Sequence, residues 1–150
     1  MSETATLSEM QLVVFELAGE QFGVDIATVR EIIQMQAITR LPGADYFVEG
    51  MINLRGVVIP VVDLRKRFNL DVAEYNKDTR IMVIDCQGQD IGIIVDSVEE
   101  VLRIPADSIV PPSNVVTSAG SDYLSGIAKL SERVVILLDT GRLLGGGISY

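Results

Sequence analysis

Few residues in this chain are of the types that most often carry out enzyme chemistry. The sequence contains no histidine, which excludes Ser-His-Asp and Cys-His nucleophilic sites, acid–base catalysis by histidine and histidine-based metal centres. The single cysteine, Cys86, can form no internal disulfide, and its position in an apolar run predicts a core residue rather than a nucleophile. The three glycines at 145–147 have neither the spacing nor the lysine of a phosphate-binding loop. We therefore predict that the protein is not an enzyme and binds no metal or other cofactor.

Carboxylates are the remaining candidates for catalysis. Several of them occur at equivalent places in two similar halves of the chain, which favours a structural role as caps. These matched pairs are Asp63 with Asp139 and Glu31 with Glu100. Asp25 and Glu99 have no acidic equivalent in the other half, so a functional role for them stays open. A pair of carboxylates that meets across the two halves is also an open alternative.

The two halves form an internal repeat. Residues 12–33 align without a gap with residues 81–102, and residues 50–63 align with residues 126–139. The identical pairs in the first alignment are Val14 and Val83, Gly19 and Gly88, Gly23 and Gly92, Val29 and Val98, and Glu31 and Glu100. Most other pairs exchange one apolar residue for another, so one structural unit is present twice. Because both copies share what the fold requires, residues found in only one copy are the first candidates for function.

Arg55 is the clearest residue of that kind. The segment Asn-Leu-Arg-Gly at 53–56 aligns with Lys-Leu-Ser-Glu at 129–132, so the arginine and its glycine occur in the first copy only. In one interpretation this is a hairpin turn in which Gly56 has a positive φ and Arg55 points into water. In the other, the planar guanidinium binds a carboxylate or backbone carbonyl of a partner protein. The sequence leaves both interpretations open.

The elements that would position Arg55 are short strands. The apolar runs are β-branched and punctuated by glycine, which is typical of strands. The predicted strands are 11–18, 21–26, 31–35, 50–54 and 57–62 in the first copy and 80–87, 89–95, 100–104, 126–130 and 133–138 in the second, with short helices at 64–68 and 140–144. The runs after Thr28 and Ser97 also fit longer helices, which is an open alternative. Five strands and one short helix per copy suit a small closed barrel, which leaves no exposed sheet edge.

This pattern predicts one barrel per copy. The predicted organisation is a flexible tail at 1–9, a first barrel at 10–70, a polar linker at 71–79, a second barrel at 80–144 and a flexible tail at 145–150. Each half alone would have a marginal hydrophobic core. We therefore expect the two barrels to pack together.

Charge restricts the kind of partner. The formal net charge of −9 argues against nucleic acid and anionic membranes, because phosphate binding needs a clustered positive surface. Basic residues gather only at 65–67, a run that is typical of a solvated helix face. No apolar run suits a membrane span, and the acidic start does not resemble a signal peptide, so we expect a cytoplasmic protein. The alternative is a two-barrel module that binds a ligand or single-stranded nucleic acid, although the chain has no tryptophan for stacking.

Several motifs, in order, resemble the CheW family of bacterial chemotaxis coupling proteins. They are F-x-L-x-x-E-x-F-G-V-D-I at 15–26, V-R-E-I at 29–32, F-V-E-G-M-I-N-L-R-G at 47–56, V-I-P-V-V-D-L-R at 58–65, G-I-I-V-D-S-V at 92–98 and Y-L-S-G at 123–126. The resemblance covers nearly all of residues 10–144. It implies two similar five-stranded SH3-like β-barrels packed together, with a few short helices and no catalytic activity. It also implies an adaptor that joins the cytoplasmic tips of methyl-accepting chemoreceptors to the regulatory domain of a CheA-like histidine kinase, in membrane-associated receptor arrays.

The resemblance also implies two sets of contact residues. A receptor helical hairpin would lie in a groove between the barrels that corresponds to Val29, Glu31, Arg55, Val98 and Val101. Kinase contacts would involve Gly50, Gly126, Val110 and Val115. Structural alternatives stay open for both sets. Val29 matches Val98 and Ile32 matches Val101 in the repeat, so these positions also fit an inward-facing core. The two glycines also fit a requirement of strand geometry.

Overall fold

The protein is mainly β in a computed structural model that describes residues 9–111 and 123–143. The strands are β1 (Glu9–Leu17), β2 (Glu20–Asp25), β3 (Val29–Gln34), β4 (Val48–Leu54), β5 (Val57–Asp63), β6 (Arg80–Cys86), β7 (Gln89–Val95), β8 (Ser97–Pro105), β9 (Ile109–Val110), β10 (Leu124–Lys129) and β11 (Val134–Leu138). The helices are α1 (Leu64–Arg67) and α2 (Thr140–Leu143), and 3₁₀ turns span Ile26–Thr28 and Ala106–Ser108. The predicted mainly β fold with short helices is confirmed.

The structure also bears on the predicted helices and tails. The longer helices considered after Thr28 and Ser97 are wrong, because β3 and β8 occupy those positions. Of the predicted tails, only Glu9 falls within the described residues. In the described ranges no helix combines the length and the apolar character that crossing a membrane requires.

The first hairpin of each repeat closes through the same kind of turn. Ala18 and Gly19 have φ values of 53° and 83°, and Gln87 and Gly88 have φ values of 54° and 88°. Two successive positive φ values define the tight turn whose twist matches that of antiparallel strands, and glycine adopts the second one without steric cost. The matched glycines thus fix where β1 turns into β2 and where β6 turns into β7.

The strands form two sheets, and each sheet takes strands from both repeats. The six-stranded sheet has the order β8-β1-β2-β11-β10-β9, and the five-stranded sheet has the order β3-β6-β7-β5-β4. The predicted division into a first barrel at 10–70 and a second at 80–144 therefore does not coincide with the sheets. The chain crosses between them through the 3₁₀ turn at Ile26–Thr28 and again at Asp96. The sequence does not show that strands of one repeat complete the sheet of the other, because equivalent strands of both repeats can pair in the same way.

The pairings between repeats are themselves repeated. Strand β1 pairs antiparallel with β8, as β6 pairs with β3. Strand β2 runs parallel to β11, with Gly23 opposite Leu137, as β7 runs parallel to β5, with Gly92 opposite Val61. A Cβ at Gly23 would lie 3.1 Å from Val135 Cγ1, and a Cβ at Gly92 would lie 2.8 Å from Ile81 Cγ2. These glycines therefore let the adjacent side chains approach the sheet closely.

The hydrophobic core has three parts, because central strands are buried on both faces. Alternate residues of β1 point to opposite faces of the six-stranded sheet. Leu12 and Val14 pack with other residues of that sheet on one face, called its interior below. On the opposite face is a core shared by both sheets, to which β1 contributes Val13, Phe15 and Leu17. The five-stranded sheet has its own interior, formed by Ile52, Ile59, Val61, Ile81, Val83 and Ile94. Cys86 lies in the shared core, as predicted, and its Sγ donates to Thr140 O at 2.8 Å.

Candidate functional site

Arg55 lies at the tip of the β4–β5 hairpin. Arg55 and Gly56 form the two-residue turn, with φ values of 54° and 86°, and Gly56 N donates to Asn53 Oδ1 at 2.8 Å. The asparagine, arginine and glycine of the motif therefore build the turn together, as the structural interpretation predicts for Gly56. Arginine is an unusual residue at a positive φ, since the left-handed region favours glycine and asparagine.

The Arg55 side chain does not simply point into water. Its Nη1 donates to Glu31 Oε2 at 3.1 Å, and its Nη2 donates to Glu31 Oε1, so the pair is bidentate. The hydrogen bond from Arg55 lowers the pKa of Glu31 from its ordinary value. Arg55 nevertheless stays 70% exposed. The ion pair thus fixes the plane of a guanidinium that solvent or a partner can reach, while an exposed pair adds little stability.

This ion pair spans the two outer strands of the five-stranded sheet. Glu31 is on β3 at one edge of the sheet, and Arg55 is at the end of β4 at the other edge. The two edges also approach where Thr39, which follows β3, bridges to Met51 on β4. The sheet therefore curls until its edges lie close together, as in a small barrel.

The second repeat contains an equivalent ion pair that the alignment did not reveal. Arg133 Nη2 lies 2.7 Å from Glu100 Oε2, and Glu100 is the repeat equivalent of Glu31. Arg133 comes just before β11, on the other side of the hairpin turn from the position equivalent to Arg55. In the alignment of the repeats, Arg133 therefore faces Val57. An arginine that pairs with this glutamate is thus common to both repeats. What distinguishes Arg55 is its place at the hairpin tip and its exposure, 70% against 33% for Arg133.

The predicted receptor-contact valines occupy two different sheets. Val29 on β3 and Val98 on β8 are partly buried and pack against the shared core, in agreement with the structural alternative for that matched pair. Val101 on β8 is 53% exposed, and its equivalent Ile32 on β3 is 41% exposed, so this pair does not belong to the core. The structure brings Glu31 and Arg55 into contact, and it leaves Val98 and Val101 on the edge strand of the other sheet.

The predicted kinase-contact glycines both lie close beside a segment that pairs with their strand. Gly50 has a φ of 149°, and a Cβ there would overlap the carbonyl oxygen of Thr39. A Cβ at Gly126 would lie 2.8 Å from Ile109 Cγ2 and 3.2 Å from Val110 O. Strand geometry therefore accounts for both glycines. Val110 is half-buried on β9, and Val115 falls outside the described residues.

The carboxylates left open as catalytic residues have local partners. Asp25 Oδ1 accepts from Ala27 N at 2.9 Å and caps the 3₁₀ turn that follows β2. Glu99 Oε2 accepts from Ser97 Oγ at 2.7 Å. Across residues 9–111 and 123–143, no group of three or more histidine, cysteine, aspartate or glutamate residues is placed to hold a metal ion.

The basic run on α1 is not a solvated helix face, contrary to the sequence prediction. Arg65 Nε and Nη2 donate to Asp96 Oδ1 and Oδ2 at 3.0 and 2.6 Å, and Arg65 is only 18% exposed. The Arg67 guanidinium lies 4.6 Å from the Phe47 ring centroid and 4.7 Å from that of Tyr123. These arginines hold the elements of the two sheets together, which sequence reasoning missed because their partners are distant in the chain.

Comparison with known proteins identifies the family of this two-sheet structure. The family model described as CheW-like domain matches residues 11–146. The chain belongs to the CheW family. Among curated CheW proteins, each named chemotaxis protein CheW, that of Klebsiella aerogenes is 34% identical over 96% of this chain and 91% of its own length. That of Bacillus subtilis is 33% identical over 89% of this chain and 86% of its own length.

A solved CheW structure has the same fold. The crystal structure of the scaffolding protein TtCheW from Thermoanaerobacter tengcongensis is 41% identical in sequence and matches with a TM-score of 0.85. The match covers 91% of this chain and 92% of that protein. The resemblance to CheW proteins noted in the sequence is therefore confirmed.

One buried acid of this CheW-family chain has a perturbed pKa. Asp63 ends β5, is only 2% exposed, and caps α1 by accepting from Arg65 N at 3.0 Å. Burial raises the pKa of Asp63 above its ordinary value, and the negative charge of Glu49 adds to this effect. Hydrogen bonds from Arg65 N and Tyr75 Oη oppose it without cancelling it. The ionised form of Asp63 is therefore a cost to the folded state.

We expect Asp63→Asn to become more stable relative to wild type as pH rises above about 4. The unfolded chain loses the Asp63 proton near about pH 3.9, whereas the folded chain keeps it to higher pH. Wild type therefore loses stability as pH rises through the folded pKa, and asparagine does not titrate. Urea unfolding at several pH values measures the difference. Asp139→Asn, the same change at the equivalent cap, is the control. A difference between Asp63→Asn and wild type that is independent of pH would contradict the assignment.

Proposed function

We propose that this chain is a non-catalytic chemotaxis scaffold that couples methyl-accepting chemoreceptors to a CheA-like histidine kinase, in arrays at the cytoplasmic side of the membrane. The observation that carries the proposal is the match, over nearly the full length of both chains, to a solved protein titled a scaffolding protein. The curated relatives named chemotaxis protein CheW support the same pathway. A scaffold needs separate surfaces for its partners, and the two-sheet fold offers them.

The proposed receptor surface is centred on Arg55. Its guanidinium is held in one orientation by Glu31 yet is 70% exposed, which suits recognition of a carboxylate or a backbone carbonyl. Val29 and the edge strand β8, with Val98 and the exposed Val101, add apolar surface. Apolar contacts with one oriented charge are the features by which a groove recognises the face of a helix.

The proposed kinase surface lies around Gly50 and Gly126, with Val110 and Val115. Gly50 is near the start of β4, whereas Arg55 follows its end, and strands rise about 3.3 Å per residue. About 15 Å of strand therefore separates Gly50 from Arg55, which supports simultaneous binding of a receptor and a kinase. Gly50 and Gly126 act indirectly in this proposal: they let residues 38–39 and 109–110 lie close alongside β4 and β10.

The mechanism would be reversible bridging. Each partner would bind a separate surface of a fold that the shared core holds together. A shift of the receptor relative to the kinase would then favour one of the kinase's active and inactive arrangements. The ligand or nucleic-acid alternative is disfavoured by the net charge of −9.

We expect Arg55→Glu to weaken binding to a receptor cytoplasmic fragment by about tenfold or more, because a reversed charge at a polar contact repels the partner's group. Binding to the kinase regulatory domain should stay near wild type. The structure allows a sharper test: the double variant Arg55→Glu with Glu31→Arg restores an ion pair between the sheet edges with its charges exchanged. Receptor binding should remain weak in this double variant, which isothermal titration calorimetry measures.

The equivalent arginine of the second repeat is the matched control. Arg133→Glu breaks the same type of ion pair at the other sheet and changes no residue of β8, so receptor binding should stay near wild type. If the double variant at Arg55 and Glu31 recovers full receptor binding, Arg55 serves only to close the sheet. If wild type binds neither a receptor fragment nor a kinase regulatory domain, the coupling function itself is wrong.

A further inference from the structure

Neither repeat completes a sheet by itself. The first hairpin of the first repeat, β1–β2, is extended into a sheet by β8 and β11 of the second. The first hairpin of the second repeat, β6–β7, is extended by β3 and β5 of the first. Within the described residues, each outer edge of these two hairpins therefore pairs with a strand of the other repeat.

The interior of each sheet is divided between the repeats in the same way. In the six-stranded sheet, Leu12 and Val14 from the first repeat pack with Ala128, Val135 and Leu137 from the second. In the five-stranded sheet, the contributions are exchanged: Ile81 and Val83 come from the second repeat, and Ile52, Ile59 and Val61 come from the first. Each repeat thus buries its apolar residues mainly by combining with the other repeat.

The covalent connection between the repeats is the segment 69–79, between the end of α1 and the start of β6. Two of its contacts attach it to the first repeat: Arg65 Nη1 donates to Asp71 O at 2.9 Å, and Tyr75 Oη donates to Asp63 Oδ2 at 3.2 Å. Asn76 N also donates to Thr79 Oγ1 at 2.9 Å within the segment. Leu70 at the start of this segment packs against the shared core, but the strands and the interiors of the two sheets take no residue from it. Beyond Leu70, the contacts that form the fold therefore do not depend on which chain supplies the second repeat.

We propose that two copies of this chain can exchange repeats, so that the first repeat of one copy folds with the second repeat of the other. The exchanged dimer contains the same strand pairings and the same cores as the single chain, and it differs only at segment 69–79. Exchange of an identical element is a low-cost route to a dimer. The single chain dominates at low concentration, because the segment holds the two repeats at an effective concentration in the millimolar range. The dimer presents two copies of every surface and binds partners bivalently.

Isotope labelling with a cleavable hinge tests the exchange directly. A protease site is inserted between Val72 and Ala73, and unlabelled and ¹⁵N-labelled proteins are unfolded, mixed and refolded at about 1 mM and at about 1 µM. The hinge is then cut, and native mass spectrometry measures each two-repeat module. An exchanged dimer gives modules with one light and one heavy repeat, up to about half of the total at the limit of random mixing. We expect such hybrids at the high concentration and their near absence at the low one.

Two results would overturn the proposal. One is full recovery of folded protein at high concentration with parental masses alone, whether the protein elutes as a monomer or as a dimer of intact units. The other is an equal yield of hybrids when light and heavy proteins are refolded and cut separately and mixed only afterwards, since the halves would then re-pair without exchange between intact chains.

Discussion

Gly50→Ala is expected to lower the free energy of unfolding by about 3 kcal/mol, the largest effect among the substitutions considered. The added Cβ would overlap the carbonyl oxygen of Thr39, a backbone atom that cannot rotate away. It would also force alanine into a φ of 149°, which L residues rarely adopt. Backbone strain of this kind costs about 1–3 kcal/mol and overpacking a similar amount. Urea unfolding measures the free energy, and thermal unfolding should show a fall in Tm of about 10 °C.

Two other glycines in the chain separate these causes. Gly88 has a positive φ of 88°, but a Cβ added there would meet no atom within 4 Å, so Gly88→Ala should cost about 1 kcal/mol from backbone strain alone. A Cβ at Gly126 would lie 2.8 Å from Ile109 Cγ2 and 3.2 Å from Val110 O but would need no positive φ, so Gly126→Ala should fall between the two. If Gly50→Ala is as stable as wild type but loses kinase binding, Gly50 contacts the kinase itself and the steric explanation is wrong.

Arg65→Met is expected to lower the free energy of unfolding by about 2 kcal/mol. Asp96 sits where the chain crosses from one sheet to the other, and its carboxylate accepts from Arg65 and from Ala18 N. Removing the guanidinium leaves a partly buried carboxylate without its charged partner, a change whose cost lies between those of surface and fully buried ion pairs. Methionine keeps the apolar length of the side chain, so the loss reports on the guanidinium's contacts with Asp96 and with Asp71 O.

The pH dependence of Arg65→Met identifies the partner. Partial burial raises the pKa of Asp96, but hydrogen bonds from Arg65 and from Ala18 N outweigh it and hold the pKa below its ordinary value. The pair therefore stabilises the protein above about pH 3.9 and loses this contribution as pH falls through the lower folded pKa. The difference between wild type and Arg65→Met should shrink in acid. A double-mutant cycle with Asp96→Asn should show coupling, and additive effects would contradict a direct pair.

Local sequence patterns were sufficient to predict the hairpins. The positive-φ turns at Gly19 and Gly88 and the turn at Gly56 follow from glycine placed between β-branched runs, and such turns depend on a few adjacent residues. The mainly β class and the CheW family follow from the same runs and motifs. The role of Arg55 could be predicted only in part, because its turn is local whereas its ion pair with Glu31 joins strands at opposite edges of a sheet.

The sequence by itself determined the repeat and the hairpins, because matched residues and glycine-dependent turns depend on a few positions each. Only the tertiary structure decided which repeat completes which sheet, since equivalent strands present the same pairing edges in either copy. It also decided that Arg133 repeats the ion pair of Arg55 from another alignment position, and that Arg65 reaches Asp96 across the crossover. These contacts join segments that are far apart in the chain, and a local sequence pattern does not show which distant segments come together in the fold.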